Sequence, residues 1–384
     1  MSSGDLHAVV ADTVFDGTRR HEHAGVTIDG ARVSRIVPHD KIPRNMPVRV
    51  LSDGVWLAPG FIDLQVNGGG DVLFNDSPTP EAISVIAAAH RKFGTTGFLP
   101  TLITDTSEKM HAAVAAVEAA MRTEPAVLGL HLEGPFLSPQ RAGVHDRSLF
   151  RQPTPEDLEM LTSAREGVLL LTLAPEQVPA GFIRRLTDAG VRVSLGHSMA
   201  TYAQTRAAIE EGLAGFTHLF NAMRPLASRE PGPIAAALET AACSFGLIVD
   251  GVHVDPAMLR LALRGVGRPM LVTDAMPPVG GTRSDFTLYG EKIAVRAGRC
   301  VRQDGTLAGA YLDIAGAVRN CVRLLGLPLE RALSFASINP AGFVNLGSQV
   351  GALAPGLRAD MVALDPEKIE VLETWVAGVS QSDS

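Results

Sequence analysis

Cysteine is scarce in this chain: Cys243, Cys300 and Cys321 are three in 384 residues, an odd number, far apart and in no CxxC arrangement. That excludes a disulfide framework and fits a reducing compartment. Charge is sparse as well, at 20% of residues, with 34 Lys and Arg against 41 Asp and Glu for a net charge of −7 and no Lys/Arg block. A mildly acidic chain without a basic stripe is not expected to take nucleic acid or an anionic membrane as its partner. No uncharged apolar run approaches the ~18 residues that span a bilayer. The opening MSSGDLHAVV has no basic region followed by an apolar stretch, so a cytoplasmic protein is expected. Aromatics are only 5%, yet apolar residues reach 46%, enough for a large core. The 38 glycines and 25 prolines in 384 residues stay below the ~25–30% that marks low-complexity chains. A globular protein acting on small molecules is the reading these figures leave.

Length alone leaves two to three domains open, and the rhythm of the chain narrows the choice. From Ala8 to Val37 short apolar segments alternate with Asp16-Gly17 and Asp29-Gly30 turns, a hairpin signature. Gly351 to Val379 again holds short β-type runs broken by Pro and Gly. Both ends therefore predict one small β-sandwich domain, over 1–56 and 349–384. Between them, eight apolar runs alternate with helical stretches: Leu57–Gln65, Gly97–Ile103, Val127–Glu133, Val168–Leu173, Val191–His197, Gly215–His218, Phe245–Val249 and Met270–Asp274. Helix starts are marked by Thr79-Pro80, by Asp105 with Glu108, and by Thr154-Pro155 with Asp157. Eight such alternations predict an α/β fold, a (β/α)8 TIM-type barrel over 57–348, with a doubly wound sheet as the weaker alternative. Turn-rich β text predicts a hairpin insertion at about 277–312, before a helix from about Asp313 to Leu325.

A barrel builds its site at the C-terminal ends of its strands. Those ends carry Gln65 and Asn67, Glu133, Glu176, His197, His218, His253 and Asp274. Period two puts His131 and Glu133 on one face of their strand, and Gly134-Pro135 stops it so that Glu133 stands at the mouth. One carboxylate and two imidazoles from separate strands can hold a metal with one position left for water; Glu133, His197 and His218 are the candidate set. Taken singly, each also reads as a hydrogen-bonded buried polar residue. Asp274 would face the same mouth as a proton carrier, or else serve as a turn residue before the Pro-Pro that follows. His131 would lie one layer deeper, as packing or support. Arg229 and His253, both in loops, could bind an anion or simply be solvated.

These motifs resemble one family. Ala58-Pro59-Gly60-Phe61-Ile62-Asp63 running on to Gly68, His131-Leu132-Glu133-Gly134-Pro135, Gly196-His197-Ser198, Thr217-His218-Leu219-Phe220-Asn221-Ala222-Met223, Asp250-Gly251-Val252-His253 and Val272-Thr273-Asp274 are similar to those of the N-acetylglucosamine-6-phosphate deacetylases of the amidohydrolase superfamily. The resemblance covers nearly the whole chain. It implies a metal-dependent barrel, usually a homodimer, that removes acetate from an amino-sugar phosphate. It further implies Glu133, His197 and His218 as ligands of one divalent ion, zinc foremost, with iron, cobalt and manganese also suited, and Asp274 as general base and acid. His145 then matches a contact near the acetamide carbonyl, while Asn221, Ala222, Arg229 and His253 match sugar and phosphate contacts, some of them made across the dimer. Many amidohydrolases place His-x-His where this chain has Gln65-x-Asn67, so one metal rather than two is expected. The family loop Gly-Ser-x-Leu-Thr-Met reads Gly309-Ala310-Tyr311-Leu312-Asp313-Ile314 here, and Leu312 is carried over as a substrate contact. The rival readings are a related amidohydrolase acting on N-acetylgalactosamine 6-phosphate or a cyclic amide, and a non-catalytic oligomeric scaffold.

Overall fold

The computed structural model describes residues 6–381. One eight-stranded sheet is the barrel: β1 (Phe61–Val66), β2 (Thr95–Ile103), β3 (Gly129–Glu133), β4 (Val168–Leu173), β5 (Arg192–Leu195), β6 (Gly215–Phe216), β7 (Ser244–Leu247) and β8 (Arg268–Leu271) lie side by side in chain order. The pairs from β3 to β8 run parallel. Past the end of β8 the ring closes on β1: the Asp274 N–H donates to Gln65 O at 3.0 Å, and Val66 bridges Ala275. The strands are apolar and buried on both faces, as all-parallel sheets require; β1, β2 and β3 are buried throughout.

The run Leu57–Gln65, expected as one strand, is two. Trp56–Pro59 pairs with Met361–Leu364 in another sheet, and β1 begins only after Gly60. The break falls where a side chain cannot fit, since a Cβ on Gly60 would stand 2.1 Å from Thr96. That other sheet draws strands from both ends of the chain, in the order Val379–Ser380, Glu370–Val376, Met361–Asp365, Trp56–Pro59, His7–Phe15, Arg20–Asp29 and Arg32–Pro38, with Val48–Val50 also on His7–Phe15. Val9, Val14, Val26, Ile28, Leu57, Met361 and Trp375 share its core.

Two compact units result: one holds the residues up to Asp63, His90–Gly97 and those from Asp313 onward, the other Leu64–Ala89 and Phe98–Leu312. Helix starts largely follow the sequence. Thr154 caps Pro155–Thr162 in a capping box with Asp157, and Asp313 caps Ile314–Leu325. The helix Ser107–Ala120 is capped by Thr106 rather than Asp105, one residue later than expected; Asp105 instead accepts from Lys109 and Asn75. The insertion is a three-stranded antiparallel sheet of Asp285–Leu288, Glu291–Arg296 and Arg299–Val301. All three cysteines are free and buried. No helix among the described residues is long and apolar enough to cross a membrane.

Candidate active site

The polar residues after the barrel strands converge because the backbone turns sharply there. His197, His218 and Asp274 have φ of 48°, 32° and 53°, the left-handed region that ends a strand and costs a non-glycine residue about 1–3 kcal/mol. A short buried turn throws each side chain inward. Gly196 makes one of these turns possible, since a Cβ there would meet Thr172 at 2.5 Å.

His197 Nε2 and His218 Nε2 stand 3.1 and 2.9 Å from the same oxygen, Glu133 Oε1. Metal bonds of 2.0–2.1 Å at tetrahedral angles give ligand–ligand edges of roughly 3.3 Å, so this spacing fits a divalent ion. His197 is also set in the right tautomer. Its Nδ1 lies 2.7 Å from the Arg141 carbonyl, which can only accept, so the proton sits on Nδ1 and Nε2 keeps its lone pair. All three side chains are buried. Burial alone would raise the Glu133 pKa, but the His197 and His218 imidazoles beside it hold the carboxyl well below the usual range. His131 is excluded as a ligand: its nitrogens face Thr101 Oγ1 at 3.1 Å and Thr172 Oγ1 at 2.8 Å, one layer down.

Asp274 lies beside this cluster and is tied to it through amides. Gln65 Nε2 donates both to Glu133 Oε2 at 3.1 Å and to Asp274 Oδ1 at 3.2 Å, and Asn67 Nδ2 donates to Asp274 Oδ1 at 2.6 Å. Gln65 and Asn67 therefore each turn an amide N–H toward Asp274. Burial, then the nearby negative charge of Glu133, pushes the Asp274 pKa up to about 6. His145 Nδ1 lies 2.8 Å from Thr104 Oγ1, and its Nε2 lies 4.0 Å from Glu133 Oε2. Burial and the neighbouring His197 push His145 down to about 3, so the ring is neutral near pH 7.

Glu133, His145, His197, His218, Asn221, Ala222, His253 and Asp274 line one cavity of about 240 Å³, together with Asn67. That is small for a ligand site and suits a single sugar-sized molecule. Asp250 Oδ2 holds His253 Nδ1 at 2.6 Å. Arg229 is on the exposed segment 225–229 and Leu312 is buried elsewhere; neither lines the cavity.

Thr104, Thr306 and Leu307 were not anticipated, and Glu176 was read only as a strand-end carboxylate. Thr104, the residue after β2, touches His145. Glu176 accepts from Ser198 Oγ at 2.7 Å and from the Met199 N–H, fixing the turn that carries His197. Thr306 and Leu307, just beyond the insertion, line the cavity. Thr104 was within reach of the strand-end rule, for it follows the second strand as Glu133 ends the third.

A family model, the amidohydrolase family, matches residues 56–382. The chain belongs to the amidohydrolase family. Among its relatives, an N-acetylgalactosamine-6-phosphate deacetylase of Shewanella sp. is 44% identical over 85% of this chain and 83% of its own length. An N-acetylglucosamine-6-phosphate deacetylase of Haemophilus influenzae is 33% identical over 92% and 93%. The crystal structure of the N-acetylglucosamine-6-phosphate deacetylase of Pasteurella multocida superposes with a TM-score of 0.94 at 34% identity, covering 98% of this chain and 99% of that one. The resemblance noted from the motifs is borne out, as is the barrel with a β-domain drawn from both termini. The amidohydrolase family is metal-dependent, and the Glu133, His197 and His218 cluster is the group among the described residues able to hold an ion.

Proposed function

We propose that this amidohydrolase removes the acetyl group of N-acetyl-D-glucosamine 6-phosphate, giving D-glucosamine 6-phosphate and acetate. What carries the reading is the convergence of the Glu133, His197 and His218 ligand atoms with Asp274 on one sugar-sized cavity. One divalent ion per subunit, zinc foremost, would be held by those three residues, polarising the acetamide carbonyl and lowering the pKa of a water toward 7. Asp274 takes a proton from the water as its oxygen attacks the acetamide carbon. His145 steadies the negative charge gathering on the carbonyl oxygen. As the C–N bond breaks, Asp274 hands its proton to the nitrogen, which leaves as a free amine, while the water oxygen stays with the acetate.

Asn221, Ala222 and His253 are placed to contact the sugar phosphate. No Lys or Arg lines the cavity, so the phosphate needs a cation from elsewhere. Arg229, exposed on the same segment as the exposed Leu226, suits a homodimer in which it reaches the second copy's cavity. Leu312 would act only through the loop leaving that site. Three free cysteines suit the cytoplasm. The second reading is N-acetyl-D-galactosamine 6-phosphate, favoured by the 44% identical relative that bears that name.

Acetate release from both epimers, with and without the 6-phosphate, and from a cyclic amide tests the proposal. One or both phosphorylated N-acetyl sugars should be cleaved at least tenfold faster than the unphosphorylated compounds. Turnover confined to the cyclic amide, or none at all, would contradict it.

A further inference from the structure

Asn67 has one end of its amide explained and the other not. The backbone is fixed on both sides: the Asn67 N–H donates to Ala275 O at 3.0 Å, and its C=O accepts from the Phe74 N–H at 2.9 Å. The side chain cannot swing. Its Nδ2 donates to Asp274 Oδ1 at 2.6 Å, and because a carboxylate only accepts, this contact settles which end of the amide is nitrogen. Oδ1, at the opposite end, is buried and has no hydrogen-bond partner among the described residues. Buried acceptors left unpaired are rare and costly. Yet Asn67 lines the cavity that holds Asp274 and the His/Glu cluster.

We infer that Asn67 Oδ1 accepts the N–H of the substrate's acetamide, making Asn67 a substrate-contacting residue that sets the scissile nitrogen beside Asp274. The inference rests on the deacetylase reading above and adds to it how the nitrogen is recognised. An acetamide offers one donor at its reacting group, the N–H, and a fixed carbonyl-type oxygen is its natural partner. The same side chain grips Asp274 through Nδ2, so a single rigid amide spans the proton carrier and the atom that must receive the proton. Gln65, whose Nε2 donates to Glu133 and Asp274, is not among the residues that line the cavity. The competing account is that Oδ1 merely holds a buried water.

The test compares a matched pair of substrates in the metal-loaded enzyme: the N-acetylhexosamine 6-phosphate that the wild type cleaves, and its oxygen analogue, the 2-O-acetylhexose 6-phosphate, which has no N–H. Asn67→Ala removes the Nδ2 contact to Asp274 for both compounds but the Oδ1 contact for the amide alone. The expected result is a kcat/KM loss at least tenfold greater on the amide than on the ester. Asn67→Leu, close in volume, should repeat it; if that variant does not fold, Asn67→Ala carries the comparison. Equal losses on the two compounds overturn the inference and leave Asn67 as a support for Asp274. Absence of wild-type turnover on any phosphorylated N-acetyl sugar is a separate result, seen without any variant, and overturns the deacetylase reading together with this one.

Discussion

In the proposed mechanism Asp274 is the proton carrier, and three features set it apart. Its backbone is left-handed, its Oδ1 takes two amide donors, and its pKa is lifted to about 6 by burial and then by Glu133. Asp274→Asn should keep the metal and lower kcat about a thousandfold, within the span of general acid–base effects; near wild-type turnover would remove Asp274 from the mechanism. The base form is the deprotonated one, so kcat/KM falls as pH drops through the Asp274 pKa. A cation held by Glu133 opposes the upward shift, which places the acid limb of the loaded enzyme at or below about pH 6. An acid limb above pH 7 in a kcat/KM profile would contradict the assignment. At this scale much of the site was legible: Glu133, His197, His218 and Asp274 each follow an apolar run, and the structure brings them together. Thr104 and the supporting role of Glu176 were harder to read. Neither has a composition signal, and each acts by holding a neighbour, His145 or the Ser198 turn, which only tertiary contact reveals.

Among the elements, the insertion does more than cover the barrel. Phe286, Leu288, Ile293 and Cys300 pack with Leu73, Ile103, Val144 and Met276 in one apolar cluster, the last four coming from segments around the cavity. Two polar contacts tie it to the His145 loop and its support. Arg302 donates to Val144 O at 3.3 Å while its Nε pairs with Glu291 at 2.9 Å, and the Tyr289 hydroxyl donates to Thr104 O. Arg302→Ala deletes a bond worth ~1 kcal/mol, so kcat/KM should fall about fivefold if that bond holds His145 in place; an unchanged value in steady-state kinetics would reduce the insertion to a cover. Sequence pattern located this insertion and its β character, because alternation and Gly turns are local. It missed the break at Gly60 and set the cap at Asp105 rather than Thr106. An apolar run shared by two sheets looks like one strand until Thr96 crowds Gly60, and an Asp-Thr pair offers two capping side chains that differ only in what else they bind.

The whole molecule carries a net charge of −7, and its cavity adds Glu133 and Asp274 without a lining Lys or Arg. An anionic sugar phosphate would be repelled by such a surface. Two things can reverse the sign: a divalent ion in the His/Glu cluster, and a cation brought from outside the cavity, for which Arg229 is the proposed source. The low basic content that argues against nucleic acid thus gives a bound divalent ion a part in the proposed binding as well as in the chemistry. The most direct measurement is acetate release from the phosphorylated N-acetyl sugar before chelation, after it, and after metal add-back, with metal content measured at each stage. The account requires about one ion per chain at first, loss of at least 99% of turnover once it is removed, and recovery on adding Zn²⁺ or another suited divalent ion. Full turnover from protein shown to be metal-free would contradict it.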